Sequence, residues 1–128
     1  MGKTAITVPG LAPPGGAYSY GVTANGFFYT AGTGPRQTAQ QDLTGTSIED
    51  QTRMALRNIE AILQTAGLSL QDVVKTTVHL HDLDRDFAGF NSVYAEIVPQ
   101  PYPVRTTVGS RLLGILVEID VVAVLSSE

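Results

Sequence analysis

Apolar residues recur with a period of two in some stretches of this chain and of three to four in others, and the switches between the two divide it into elements. A short strand is expected around Thr4 to Thr7, followed by a loop through the breakers Pro9, Gly10, Pro13, Pro14, Gly15 and Gly16. Tyr18 to Ala24 and Phe27 to Ala31 are β-prone runs on either side of Asn25-Gly26. Both turn residues tolerate positive φ, so the pair predicts a hairpin. From Gly32 to Gly45 the chain is polar and reads as a mobile loop.

Thr46 and Glu49 have the spacing of a capping box, in which each side chain bonds the other's unpaired backbone NH. The helix they open carries Ile48, Thr52, Ala55, Ile59, Ile62, Leu63 and Ala66 on one stripe, and Gly67 stops it. Val73 to Leu80 predicts a strand with Val74, Thr76, Val78 and Leu80 on one face. Asp84 or Asp86 can cap a second helix running to about Val98, where Pro99, Pro101 and Pro103 end it. Two strands follow, Val104 to Val108 and Leu116 to Leu125. The last is apolar on both faces and calls for cover on both sides.

This order predicts an α+β fold, a single mixed β-sheet with two helices packed on one face, in one domain spanning residues 1–128. Two helices cannot cover both faces, so the bare one predicts oligomerisation. The composition agrees: hydrophobic residues make up 43% and charged residues only 16%. The net charge of -4 and the scatter of eight Lys and Arg disfavour nucleic acid as a partner. With no cysteine there is no disulfide, thiolate nucleophile or Cys-based zinc site. The absence of a leader pattern or of a long apolar run leads to the expectation of a soluble, cytoplasmic protein with no membrane partner.

Glu118 and Asp120 interrupt the final apolar strand and project from one face. A buried carboxylate needs a cation, and Arg105, on the neighbouring strand by sequence order, is the leading candidate. Two readings stay open on the residues alone. Arg105 forms a structural ion pair with Glu118 or Asp120 that ties two strands together, or Arg105 offers its planar fork to a substrate carboxylate while an acidic side chain activates water.

The segments AYSYGV at 17 to 22, YTAGTGP at 29 to 35, VVKTTVHLHDL at 73 to 83, FAGFNSVY at 87 to 94, PVRTTVG at 103 to 109 and VEIDVVAV at 117 to 124 resemble the RidA/YjgF family, in its order and spacing. The resemblance implies a chorismate-mutase-like fold, a homotrimer with clefts between subunits, and hydrolysis of 2-imino acids and their enamine tautomers to 2-keto acids and ammonia, with no cofactor and no metal. Carried over by motif, Arg105 would bind the substrate carboxylate and Glu118 would activate or orient water. Tyr18 would donate a hydrogen bond near the reacting nitrogen, Asn91 would support the cleft, and backbone groups of Gly32 and Thr107 would fix the substrate. Two positions depart from the family's pattern: Ala31 stands where deaminases usually have Ser, and Thr107 where many have Cys.

Other features have plainer readings. His79 and His81 share a strand face but lack a convergent third metal ligand. Gly32-Thr33-Gly34-Pro35 lacks the Lys of a phosphate loop. Tyr18, Tyr20, Phe27 and Tyr29 could stack bases but more often pack a core. The alternatives to a deaminase are an endoribonuclease-type translation inhibitor, which the acidic composition disfavours, and a non-catalytic small-molecule-binding trimer, for which Ala31 speaks.

Overall fold

The computed structural model describes residues 2–125. In chain order its elements are β1 (Thr4–Ala5), β2 (Gly21–Ala24), β3 (Phe27–Thr30), α1 (Ile48–Gln64), a 3-10 turn (Leu70–Asp72), β4 (Val73–Leu80), α2 (Leu83–Ile97), β5 (Val104–Gly109) and β6 (Val117–Val124). The predicted hairpin forms, with Asn25 at φ 55° and Gly26 at φ 87°, the left-handed geometry a two-residue turn demands.

All six strands join one mixed sheet in the order β1-β2-β3-β6-β4-β5. Every neighbouring pair is antiparallel except β4 and β5. Those two are parallel because α2 connects them as a crossover, returning the chain to start β5 at the same end as β4. β6 then enters between β3 and β4. Arg105 and Glu118 are therefore not on neighbouring strands, as sequence order implied; β4 separates them.

Both helices lie on one face, as the period and order of elements predicted. Ile48, Thr52, Ala55, Ile59, Ile62 and Leu63 of α1 are buried, along with Phe90, Val93 and Tyr94 of α2. They meet Thr76, Val78 and Leu80 of β4 and Val117, Ile119, Val121 and Ala123 of β6. Gly89 permits the close approach of the helices, since a Cβ there would lie 2.6 Å from Glu49 Oε2 and 2.8 Å from Ile48 Cγ2. The opposite face carries Tyr29, Val104 and Val124, which are 43%, 68% and 42% exposed. No helix among the described residues is long and apolar enough to cross a membrane.

Several local expectations shift. α1 is capped by Ser47, whose hydroxyl accepts from Asp50 N at 3.0 Å, while the Thr46 hydroxyl donates to Leu43 O instead. α2 is capped by Asp82, two residues before Asp84 and four before Asp86, because its carboxylate reaches Arg85 N. Val74 leaves the buried face of β4 because a register irregularity falls between Val73 and Lys75. Tyr18 precedes β2 rather than lying in it. The loop from Gly32 is pinned at its start: Thr33 exchanges backbone hydrogen bonds with Ile119, and the buried Asn58 amide donates to Gly34 O and Arg36 O.

Candidate functional site

The parallel register pairs Arg105 with Thr76, whose other neighbour is Val121, and both of these are buried beneath the helices. Arg105 thus projects to the helix-covered face, at the sheet edge where β5 ends the order. α2 lies over it. Phe87, Asn91 and Tyr94 recur at helical spacing, with Phe90 between them, and together they enclose the guanidinium. Its Cζ sits 4.7 Å from the Tyr94 ring centre, 5.3 Å from Phe90 and 5.8 Å from Phe87. One nitrogen donates to Asn91 Oδ1 at 2.9 Å. Each ring contact of this kind contributes roughly 1 kcal/mol.

Burial pushes the Tyr94 phenol up, despite the opposing pull of its Thr76 hydrogen bond (2.9 Å) and of Arg105. The phenol therefore stays neutral and leaves the Arg105 charge uncompensated. None of the ion pairs among the described residues includes Arg105; they join Arg53 to Glu96 and Arg85 to Asp82 and Asp86. A cavity of about 340 Å³ opens beside it, lined by Asn91, Tyr94, Ala95, Tyr102 and Pro103. A preorganised, unpaired guanidinium facing a cavity is a site for an anion such as a carboxylate.

Glu118 is on β6 opposite His79, between the buried Val117 and Ile119, so it projects to the open face. Its carboxylate lies against Gly32, where any Cβ would collide with it. Gly32 was singled out for close main-chain approach, and the group that approaches is Glu118. No described residue donates a hydrogen bond to that carboxylate. It lines a second cavity of about 270 Å³ with Tyr18, Tyr20, Gly32 and Arg36. The Tyr20 hydroxyl is engaged with Ala12 O at 2.5 Å, and its ring meets Tyr18 edge-on at 6.3 Å. Burial, and then the neighbouring Tyr18, raise the Tyr20 pKa. Tyr18 is 50% exposed, and its hydroxyl bonds no described residue. Such a cavity holds a carboxylate able to accept a proton and a phenol able to donate one.

The expected site residues therefore fall into two groups. Arg105 and Asn91 line one cavity, and Tyr18, Gly32 and Glu118 line the other. Within one chain Arg105 projects from one face of the sheet and Glu118 and Asp120 from the other, so the structural ion pair of Arg105 with Glu118 or Asp120 does not form. Ala31 lies in an adjoining concavity with Tyr18 and Tyr29. Thr107 follows Arg105 on the same face and is not among the residues lining its cavity.

The family profile described as endoribonuclease L-PSP matches residues 10–125. The chain belongs to that family, which is also the RidA/YjgF family of the sequence resemblance. Across 123 residues this family member is 42% identical to the RutC family protein PH0854 of Pyrococcus horikoshii, covering 94% of this chain and 97% of that protein. It is 36% identical over 112 residues to the chloroplastic Reactive Intermediate Deaminase A of Arabidopsis thaliana, covering 86% of this chain and 59% of that protein. The crystal structure of RidA from the Antarctic bacterium Psychrobacter sp. PAMC 21119 superimposes with a TM-score of 0.85 at 32% identity, covering 95% of this chain and 99% of that one.

Sequence reasoning did not find the ring cage of this L-PSP family chain, although Phe87, Phe90 and Tyr94 recurred at helical spacing ahead of the Arg105 strand. Arg36 was also missed, because a lone cation in an irregular loop carries no periodic signal. His79 and His81 make ordinary contacts: His79 Nδ1 lies 2.6 Å from Ser110 Oγ, and His81, just past the end of β4, accepts from Leu112 N. No group of three metal-ligating side chains occurs among the described residues.

Proposed function

We propose that this chain is an enamine/imine deaminase that hydrolyses 2-imino acids to 2-keto acids and ammonia in clefts between the subunits of a homotrimer. One observation carries the reading: Arg105, beside one cavity, and Glu118, in the other, project from opposite faces of one sheet. A small molecule needing both must draw them from two copies, and the exposed apolar residues of the open face give those copies a reason to associate. That one relative in the family is named a Reactive Intermediate Deaminase agrees with this choice.

In the reaction Arg105 of one subunit grips the substrate carboxylate with two parallel hydrogen bonds, and Asn91 and the ring cage hold the fork in place. Glu118 of another subunit removes a proton from water, whose oxygen adds to the imine carbon while the C=N π pair moves to nitrogen. Nitrogen takes up a proton, with the Tyr18 hydroxyl donating a hydrogen bond there. That proton is the one Glu118 took from water; the adduct's hydroxyl proton then passes through the freed carboxylate to the amino nitrogen, so the C–N bond breaks, ammonia leaves and the C=O of the keto acid forms. Imine and water are consumed, keto acid and ammonia are formed, and no electron acceptor is needed.

The test generates several imines in situ with an amino-acid oxidase or a threonine dehydratase and follows their decay with and without the protein. Acceleration of at least one imine is expected. No acceleration for any would favour a non-catalytic binding trimer, and cleavage of single-stranded RNA that survives purification and vanishes in Arg105→Ala would favour a nuclease.

A further inference from the structure

The cavity that holds Glu118 holds one cation among its lining residues, Arg36. Its guanidinium is fixed from two directions. Nε donates to Gln41 O at 3.2 Å, and Nη2 donates to Gly114 O at 3.2 Å, from a loop 78 residues further along. The Asn58 amide, bonded to Arg36 O, steadies the backbone beneath it. Both side-chain partners are neutral carbonyls. A guanidinium has five N–H donors, so these two bonds leave three for a ligand. No ion pair among the described residues involves Arg36, so its charge is also unpaired.

Two other polar groups of the lining are engaged, the Tyr20 hydroxyl on Ala12 O and the Asn58 amide on Gly34 O and Arg36 O, while the unengaged Tyr18 hydroxyl and Glu118 carboxylate are the groups assigned to the reaction itself. A half-buried, doubly anchored cation in a concave site loses little freedom on binding an anion. If the 2-imino carboxylate is taken by Arg105 of a neighbouring subunit, Arg36 is left for a different anionic group on the same molecule. We infer that Arg36 forms a subsite for the distal carboxylate of the substrate, so that the preferred substrates are 2-imino dicarboxylic acids, the imines of acidic amino acids. This inference rests on the deaminase reading for the reaction, but the anion subsite stands on the Arg36 geometry.

The bland role for the same contacts is a clamp between two loops, and two substitutions separate it from the subsite. Arg36→Gln keeps amide donors for the carbonyls and removes the charge; Arg36→Lys keeps the charge. The wild-type protein and both variants are assayed with 2-iminoglutarate and with 2-iminobutanoate, and titrated with 2-oxoglutarate and 2-oxobutanoate. Wild type should prefer the diacid imine. Arg36→Gln should lower the ratio of diacid to monoacid kcat/KM tenfold or more, chiefly through KM, and Arg36→Lys should recover part of it. A proportional loss for both imines, or a wild type that does not discriminate, overturns the subsite while leaving the deaminase intact. If no imine is hydrolysed, the deaminase reading fails, and the subsite is then decided by binding alone: Arg36-dependent preference for 2-oxoglutarate over 2-oxobutanoate supports it, and equal binding overturns it.

Discussion

The two cavities are built in opposite ways. Around Arg105 the charge is held by fixed matter: three aromatic rings, an asparagine oxygen and the packed α2 helix. Around Glu118 the reactive group rests on the one residue type with no side chain, Gly32, and no described donor holds it. The first arrangement suits a group whose task is the same before and during a reaction, namely to hold a carboxylate. The second leaves the carboxylate free to turn toward a water or a substrate, because no described donor fixes it. Under the proposed reaction, binding and proton transfer would fall to side chains on different faces of the sheet, and association of copies would be what joins them.

The largest expected effect comes from keeping those faces apart. Val122 lies on the open face of β6, flanked by Tyr29 of β3 and Lys75 of β4. Val122→Asp leaves the helix-covered core untouched but places a carboxylate where the proposed interface would desolvate it. Light scattering coupled to gel filtration should show a trimer for the wild type and smaller species for the variant, with activity abolished. A variant that remains active as a monomer would break the comparison at its base.

Three substitutions probe the two halves separately. Glu118→Gln keeps size but cannot take a proton, so turnover should fall about a hundredfold or more, with keto-acid binding retained. Gly32→Ala should come next. Its methyl group can be accommodated only by moving the Glu118 carboxylate, and a displacement of about 1 Å can cost about a hundredfold in rate. Because the colliding atoms are the end of a flexible side chain, the thermal midpoint should hardly change. Arg105→Lys keeps the charge and loses the fork, so KM and the keto-acid Kd should rise about ten- to a hundredfold while kcat changes less. Steady-state kinetics and calorimetric titration distinguish these patterns. Equal losses of stability with unchanged kinetics would return both residues to a purely structural role.

How much of this was legible in the chain depended on whether a property is local. The bounds of strand β4 were readable to the residue from the Val- and Thr-rich run Val73 to Leu80, although the irregularity that turns Val74 outward was not, and the Asn25-Gly26 turn needed only two residues. Caps slipped by a turn or less because Thr46 and Ser47, or Asp82, Asp84 and Asp86, are chemically equivalent neighbours, and geometry rather than composition selects one. The Arg105, Asn91, Tyr18, Gly32 and Glu118 set was legible as motifs. Its division between two faces was not, because strand order is a tertiary choice: β6 inserting between β3 and β4 has no signature in β6 itself. The ring cage required knowing that α2 crosses over β5, and the Arg36 anchor depends on a carbonyl in a distant loop.

The smallest effect concerns Asp120, which shares the open face with Glu118. Partial burial raises its pKa, with His79 and Lys75 pulling the other way. A carboxyl whose pKa is higher in the folded than in the unfolded chain favours folding while it is protonated. That contribution is lost as pH rises from the ordinary carboxylate range through the raised value. At neutral pH the wild type therefore carries a small cost for an ionised, half-desolvated Asp120, only partly offset by the facing His79 and Lys75. Asp120→Asn removes this cost, so its thermal midpoint should exceed that of the wild type at pH 7, and the gap should close as both are titrated below the carboxylate range. If copies associate through this face, desolvation deepens, and the gap at pH 7 should widen with protein concentration. A variant less stable than wild type at pH 7 would instead mean that ionised Asp120 is held by a cation across the interface, and the open face would then carry a fixed ion pair as well as the proton-accepting half of the site.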